Sequence, residues 1–262
     1  MPEGDTVYRT AARLHRALSG EILTSTDFRV PRLATTDLSG RAVTEVVSRG
    51  KHLLTRMADD LTLHTHLRMD GAWRVYAPGE QWRGGPGFQI RVVLSTDRLH
   101  AVGYRLPIVE LIRTSAESEA VGHLGPDLLG DDWDPGEASR RLLTSPGREI
   151  GSALLDQRNL AGIGTVYMAE LCFIAGVSPW TPADRVENLD ELLDQAHTLM
   201  ARNAETGQQV TTGNSRPGRQ HWVYGRARRP CWRCGTPVRA AEIGHAPQER
   251  LAFWCPTCQP LG

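Results

Sequence analysis

Four of the five cysteines fall into two pairs, Cys231-Trp-Arg-Cys234 and Cys255-Pro-Thr-Cys258, with twenty residues between the pairs. A C-x2-C turn brings two thiolates to one ion, and two such turns complete a tetrahedral sulfur shell of the kind that zinc takes in ribbons. A closed four-sulfur shell leaves no open position. The ion would therefore be structural, replacing a core that so short a segment could not build. Two disulfides or four unrelated thiols are the other readings of the same spacing; the chain opens without an export signal, so reduced, metal-bound cysteines are the expectation. The fifth, Cys172, lies in the apolar stretch LCFIA and reads as core.

A second set of candidates lies at the chain start. Removal of Met1 would leave Pro2 as a free secondary amine, and an α-amine titrates near 8, far below lysine. Such an amine attacks an aldehyde carbon to form a Schiff base, and Glu3 beside it could pass a proton to a departing oxygen. A third signal is compositional. Among 30 Lys and Arg residues, Lys51 in SRGKHLL is the only lysine. Arg is permanently charged and planar, whereas Lys is a compact charge that can release its proton. A site needing a proton carrier would exclude Arg; an Arg-biased sequence with one Lys left over would look the same.

The elements that must position these residues fall into two textures. Residues 5–18, DTVYRTAARLHRAL, place Val7, Ala11, Leu14 and Leu18 on one helical face, and Gly20 follows as a stop. From about 21 to 113, short apolar runs (Val43–Val47, Leu61–His66, Trp73–Tyr76, Phe88–Leu94) alternate with Gly, Pro and Asp, which predicts an antiparallel sandwich or barrel. Residues 115–136 are acidic and rich in Gly and Pro and read as a linker. Helical patterns, each short and amphipathic, return over Ala138–Leu143, Glu149–Leu155, Thr165–Ala175 and Leu189–Ala204, and the Gly-containing DQRNLAGIG predicts a tight corner between two of them. Residues 205–230, poor in apolar side chains, read as a flexible connection to the cysteine-bearing segment 231–262. There QERLAFWC alternates as the second strand of a hairpin.

Composition is that of a globular protein: 40% apolar, 23% charged, net charge zero. No apolar run nears the ~20 residues of a membrane span, so the expectation is a cytoplasmic protein, and nothing suggests more than a monomer. The charge is uneven. From Arg202 onward nine Arg face three Glu, a local excess of 9 − 3 = +6. A basic end can hold phosphates within a screening length of about 8–10 Å, and it can equally be a solvated tail. Arg239 and Arg250 are the cations between the knuckles; on sequence alone Arg250 is as well explained as a solvated strand-edge residue.

The MPEG start, SRGKHLL, LLDQRNLAGIG and WVYGRARRPCWRCG…FWCPTCQ occur in one order over nearly the whole chain. In that order they resemble the Fpg/Nei family of DNA glycosylase/AP lyases. The resemblance implies an α+β fold: an N-terminal antiparallel β-sandwich flanked by a long helix (1–114), a linker (115–136), a helix-two-turn-helix domain (137–204), a flexible connection (205–230) and a zinc-ribbon hairpin (231–262). It implies double-stranded DNA with a damaged or abasic site as partner, and one structural zinc on Cys231, Cys234, Cys255 and Cys258. Pro2 would be the Schiff-base nucleophile, Glu3 the acid that helps open the sugar, Lys51 a proton carrier beside the lesion phosphate, and Arg250 the finger arginine of the second elimination. Gly162, Gly164 and Thr165 would offer phosphate contacts from the corner, His123 would stand at a phosphate-binding position, and Arg68 and Met69 would lie at the wedge that fills the stack when a nucleotide is flipped out. Met69 equally suits a buried strand position.

This sequence departs from that pattern at several points. Asp5 and Thr6 replace the Pro and Glu that usually follow MPEG, and Thr165 replaces an Asn. GYRLPIVE stands where the 8-oxoguanine branch carries Asp-Pro-Arg-Arg-Phe. Arg68-Met69-Asp70 replaces a Gln-Leu-Tyr wedge. These changes place the chain on the Nei side, with oxidised pyrimidines the favoured substrates. A non-catalytic zinc-ribbon protein that binds damaged DNA is the alternative, and an RNA-binding or scaffold protein a third.

Overall fold

The computed structural model describes residues 2–261, so Met1 and its removal lie outside the described residues. The chain forms two compact units, Met1–Pro2 with Thr6–His123, and Glu3–Asp5 with Leu124–Gly262.

Helix α1 (Gly4–Leu18) follows the periodicity: Val7, Ala11, Leu14 and Leu18 are each buried, and Gly20 takes φ +81 just beyond its end. Eight strands follow: β1 (Ser25–Phe28), β2 (Val43–Arg49), β3 (His52–Met57), β4 (Leu61–His66), β5 (Ala72–Tyr76), β6 (Ile90–Ser95), β7 (His100–Tyr104) and β8 (Ile108–Arg113). They pair antiparallel into two four-stranded sheets, ordered β1-β6-β7-β5 and β2-β3-β4-β8. One core joins them: Val46, Leu53 and Leu63 from the second sheet pack with Trp73, Val92 and Leu94 from the first and with Leu14 and Leu18 of the helix. The expected sandwich with its flanking helix is therefore present.

The stretch 115–136 is more ordered than its composition suggests. It holds α2 (Glu117–Val121), and the boundary between the units falls inside it. Glu117 accepts from Arg56 Nη2 at 2.7 Å and from the Thr62 hydroxyl at 2.7 Å, which fastens α2 to β3 and β4. Burial pushes the Glu117 carboxyl up, but the Arg56 and Thr62 bonds prevail and hold it below its ordinary value. Further on, the Leu128 N–H donates to Ala161 O at 3.2 Å.

In the second unit, helices α3 (Pro135–Leu142), α4 (Ile150–Leu155), α5 (Thr165–Ile174) and α6 (Leu189–Thr206) surround a core that includes Leu154, Leu160, Ile163, Tyr167, Leu193 and Met200. Nine of the ten residues of α5 are buried, so it is a central helix rather than an amphipathic one. Strands β9 (Arg239–Ile243) and β10 (Arg250–Trp254) form the expected antiparallel hairpin.

Residues 207–230 carry no regular element but are tied down, unlike the flexible connection their composition suggests. Glu170, fully buried on α5, accepts the N–H groups of Trp222, Val223 and Tyr224 at 2.7–2.8 Å and the Thr211 hydroxyl. Four donors on one buried carboxylate satisfy it fully and fix both ends of the segment.

Candidate functional site

The chain start is built into the second unit through Glu3. Its side chain is fully buried, and its carboxylate accepts N–H groups from Gly164 (2.7 Å), Val166 (2.8 Å) and Tyr167 (3.3 Å). These are the free donors at the N-terminus of α5, where the helix dipole also favours a negative group. Only glycine fits at 164, because a Cβ there would lie 2.5 Å from Glu3 Cδ. The Gly4 N–H donates to Gly162 O at 2.9 Å, and a Cβ on Gly4 would come within 2.9 Å of Gly162 Cα. Glu3-Gly4 and the Gly162–Gly164 corner are thus two halves of one contact.

This geometry corrects the expectation that Gly162 and Gly164 offer their N–H groups to DNA phosphates. The Gly162 N–H donates to Gln157 Oε1 at 3.1 Å and the Gly164 N–H to Glu3, so both have protein acceptors. The reason is that α5 already has its anion, supplied by the protein itself. Thr165 is buried as well, at 7% exposure. Asp5, one of the departures from the family pattern, is fully buried in the same unit and accepts from Gln209 Nε2 at 3.0 Å.

In the first unit, Pro2 and Lys51 are each half-buried. Lys51 occupies a two-residue turn between β2 and β3, in which Arg49 pairs with His52 and Gly50 supplies φ +55. His52, directly after that turn, is in contact with three other histidines. His52 pairs with His66 in the β3–β4 register, its Nδ1 lies 2.8 Å from His64 Nε2, and its ring meets the rings of His66 and His123 edge-on at 4.8 and 6.4 Å. His64 Nδ1 lies 3.2 Å from Glu110 Oε2. Burial, and then the charges of His66, His64, His123 and Lys51, push His52 down to about 3; burial, and then Lys51 and Arg68, push His66 down to about 4. His52 and His66 are thus uncharged at neutral pH beside the one lysine. His66 Nδ1 accepts the Arg68 N–H at 2.9 Å, which leaves Nε2–H as a donor. His52, His64 and His66 escaped the sequence reading; only the β3–β4 register brings these three together.

Unfolded histidine titrates near 6.5, while folded His52 and His66 stay neutral down to about 3 and 4. As pH falls from 6.5 towards 4, the unfolded chain binds protons that the folded one refuses. Stability is fully present above pH 6.5 and is lost below it, by at most about 1.4 kcal/mol per pH unit for each histidine. Urea denaturation at pH 7.5 and 5.0 measures this, and His52→Phe is expected to flatten the dependence. An unchanged slope in that variant would contradict the assignment.

Met69 is 64% exposed in the 67–71 turn, which excludes the buried-strand reading. Arg68 beside it is exposed and takes φ +47. Left-handed backbone at a non-glycine residue costs about 1–3 kcal/mol and persists where the surroundings enforce it; here the Arg68 N–H on His66 does so. His123 is exposed at the end of the first unit. Arg250 is exposed at the start of β10, its Nη1 donating to Gln248 O and Glu249 O at 3.1 and 2.9 Å.

The four cysteine Sγ atoms lie within 4.8 Å of one another, with Cys231–Cys258 at 4.0 Å and Cys234–Cys255 at 3.4 Å. A zinc–sulfur bond of about 2.3 Å in a tetrahedron requires sulfurs about 3.8 Å apart, so the quartet fits one ion and not two disulfides. Cys172 is fully buried on α5 and burial pushes its thiol up to about 12, consistent with a core residue. Trp232, between the first two cysteines, is sandwiched by Arg219 and Arg226, each 3.8 Å from its ring. Among the described residues no helix is long and apolar enough to cross a membrane.

Comparison with known proteins agrees with this architecture. Residues 1–107 match the formamidopyrimidine-DNA glycosylase N-terminal domain and residues 124–215 the formamidopyrimidine-DNA glycosylase H2TH domain. The chain is 57% identical to a probable endonuclease 8 2 of Streptomyces coelicolor, covering 99% of this chain and 94% of that protein. It is 46% identical to the DNA-(apurinic or apyrimidinic site) lyase Nei2 of Mycolicibacterium smegmatis, covering 99% of each. The fold matches that of Lactococcus lactis Fpg, solved in complex with an abasic site containing DNA, at a TM-score of 0.82 and 22% identity over 99% of this chain and 100% of that one. With the MPEG start, the corner and the cysteine quartet in register along its full length, the chain belongs to the Fpg/Nei family of DNA glycosylase/AP lyases.

Proposed function

We propose that this protein is a bifunctional DNA glycosylase/AP lyase of base excision repair, acting as a cytoplasmic, nucleoid-associated monomer on duplex DNA and favouring oxidised pyrimidines. The observation that carries the reading is the buried Glu3 carboxylate, held by three N–H groups directly after Pro2. A family start joined to the family corner by that contact is what a catalytic chain terminus requires.

In this account the damaged nucleotide leaves the stack and Met69 fills the gap. The Pro2 nitrogen, freed of Met1, bonds to C1′ of the sugar as the base departs. The nitrogen then gives its proton to Glu3, which hands it to O4′ as the C1′–O4′ bond breaks and the C1′=N⁺ double bond forms. That sequence suits a Glu3 that starts as a carboxylate. The iminium acidifies the neighbouring C2′ proton; its removal expels the 3′ phosphate, and a second elimination expels the 5′ phosphate. Lys51 carries protons beside the lesion phosphate, and Arg250 binds that phosphate during the second step. His123 and Thr165 contact the flanking backbone, Thr165 after a local opening that frees its buried hydroxyl. Zinc on Cys231, Cys234, Cys255 and Cys258 supplies the cross-link that holds the β9–β10 hairpin.

A panel of duplexes tests this, each with one oxidised base or abasic site, incubated with protein whose N-terminus has been verified by mass spectrometry. The expected result is cleavage leaving a one-nucleoside gap with phosphate on both ends, fastest for oxidised pyrimidines. Tight binding of abasic DNA without any nicking would favour the non-catalytic alternative.

A further inference from the structure

Two tight connections carry the chain from one sheet of the first unit to the other: residues 67–71 between β4 and β5, and residues 105–107 between β7 and β8. Each contains an arginine in left-handed backbone, Arg68 at φ +47 and Arg105 at φ +50. The first carries Met69. The second is bound to the first by the Arg105 guanidinium: Nε donates to Asp70 O at 2.9 Å and lies 3.5 Å from the Asp70 carboxylate. The same guanidinium donates through Nη1 to Gln89 Oε1 at 2.6 Å and to Gly84 O at 3.3 Å, while the Arg105 N–H donates to Gln89 O at 2.8 Å.

The 84–89 loop is folded around this group. A Cβ on Gly84 would lie 2.3 Å from the Tyr104 ring, and one on Gly85 2.9 Å from Arg105 Nη1. The 67–71 turn closes equally tightly, since a Cβ on Gly71 would lie 2.4 Å from Leu67 O. One planar fork thus joins three segments, a task for which the single ammonium of lysine has the wrong shape. Methionine has three rotatable bonds and cannot orient itself, so a stack-filling methionine depends on a rigid backbone beneath it.

We propose that Arg105 is a positioning residue for Met69: it fixes the 67–71 turn, through Asp70, in the one orientation from which the side chain enters the base stack. The inference rests on the reading of Met69 as the wedge, and its test separates the two.

The probe is a duplex with a tetrahydrofuran abasic analogue next to 2-aminopurine, whose fluorescence reports unstacking in stopped flow. Wild type, Met69→Ala, Arg105→Met, Arg105→Lys and the Met69→Ala/Arg105→Met double variant are compared, each with its thermal midpoint and zinc content measured. Arg105→Met is expected to slow unstacking by about ten- to a hundredfold, as Met69→Ala does. Arg105→Lys should recover little of the loss, and should Arg105→Met fail to fold, this variant carries the comparison. The double variant should be no slower than Met69→Ala alone, because Arg105 acts through Met69. Multiplying effects, or a folded Arg105→Met at wild-type speed, would overturn the proposal while a slow Met69→Ala kept the wedge. A normal Met69→Ala would remove the wedge reading and this inference with it. Altered opposite-base preference of Arg105→Met in the Met69→Ala background would also overturn it, showing a direct base contact instead.

Discussion

Glu3→Gln is expected to lower turnover by about 10²- to 10⁴-fold and stability by about 1–3 kcal/mol. Both losses have one origin. The carboxylate offers two oxygens to the N–H groups of Gly164, Val166 and Tyr167. The amide offers one oxygen and brings an NH2 among those donors, leaving a buried N–H without its acceptor. Nor can it take the proton that the Pro2 nitrogen releases in the proposed mechanism. Single-turnover nicking of an abasic duplex and urea denaturation measure the two effects. Because the amine remains, the covalent intermediate should still form, only slowly. A Glu3→Gln protein of normal rate would remove Glu3 from the proton path, and one of normal stability would contradict the contact that joins chain start to corner.

Removal of the metal is expected to have an effect of similar size on a different property. Structural zinc in short cysteine-rich segments binds with about 10–16 kcal/mol of apparent free energy, which is folding free energy for the segment. Cys231 and Cys255 share a small apolar cluster with Phe173, Val223, Val238 and Phe253. That cluster alone is too small to hold a hairpin. Chelation, or Cys258→Ser, should therefore unfold the hairpin and disperse Arg239 and Arg250, lowering affinity for abasic DNA by about tenfold or more. Zinc release assayed with a chromogenic chelator should give one ion per chain. A chelated protein that keeps both the hairpin and its affinity would contradict a structural role.

What the sequence disclosed depended on whether the signal was local. Val7, Ala11, Leu14 and Leu18 announced α1 because a helical stripe is written in consecutive turns, and the cysteine quartet announced its hairpin because spacing alone defines the turns. Helix α5 was legible as a helix but read as amphipathic rather than central, since the buried Glu170 within it makes sense only with the N–H groups of residues 222–224. The acidic, Gly- and Pro-rich run at 115–136 resembled a linker because composition cannot show that Glu117 has Arg56 and Thr62 as partners. Glycines 162 and 164 stood out as candidate phosphate contacts, but only the fold shows that they pack against Glu3 and Gly4 of the same chain. His52, His64 and His66 needed the register of two strands to become a cluster, and Arg105 needed two sheet-to-sheet passages to meet Asp70.

The central claim is that the nitrogen of Pro2 bonds to the sugar carbon. Borohydride added during reaction with an abasic duplex reduces such an imine to a stable amine, and digestion followed by mass spectrometry locates it. The account expects one cross-link per chain, carried on the N-terminal peptide at Pro2 and absent from protein that retains Met1. A cross-link mapped to Lys51 with none at Pro2, or no covalent species from protein that begins at Pro2 and still nicks the strand, would contradict it.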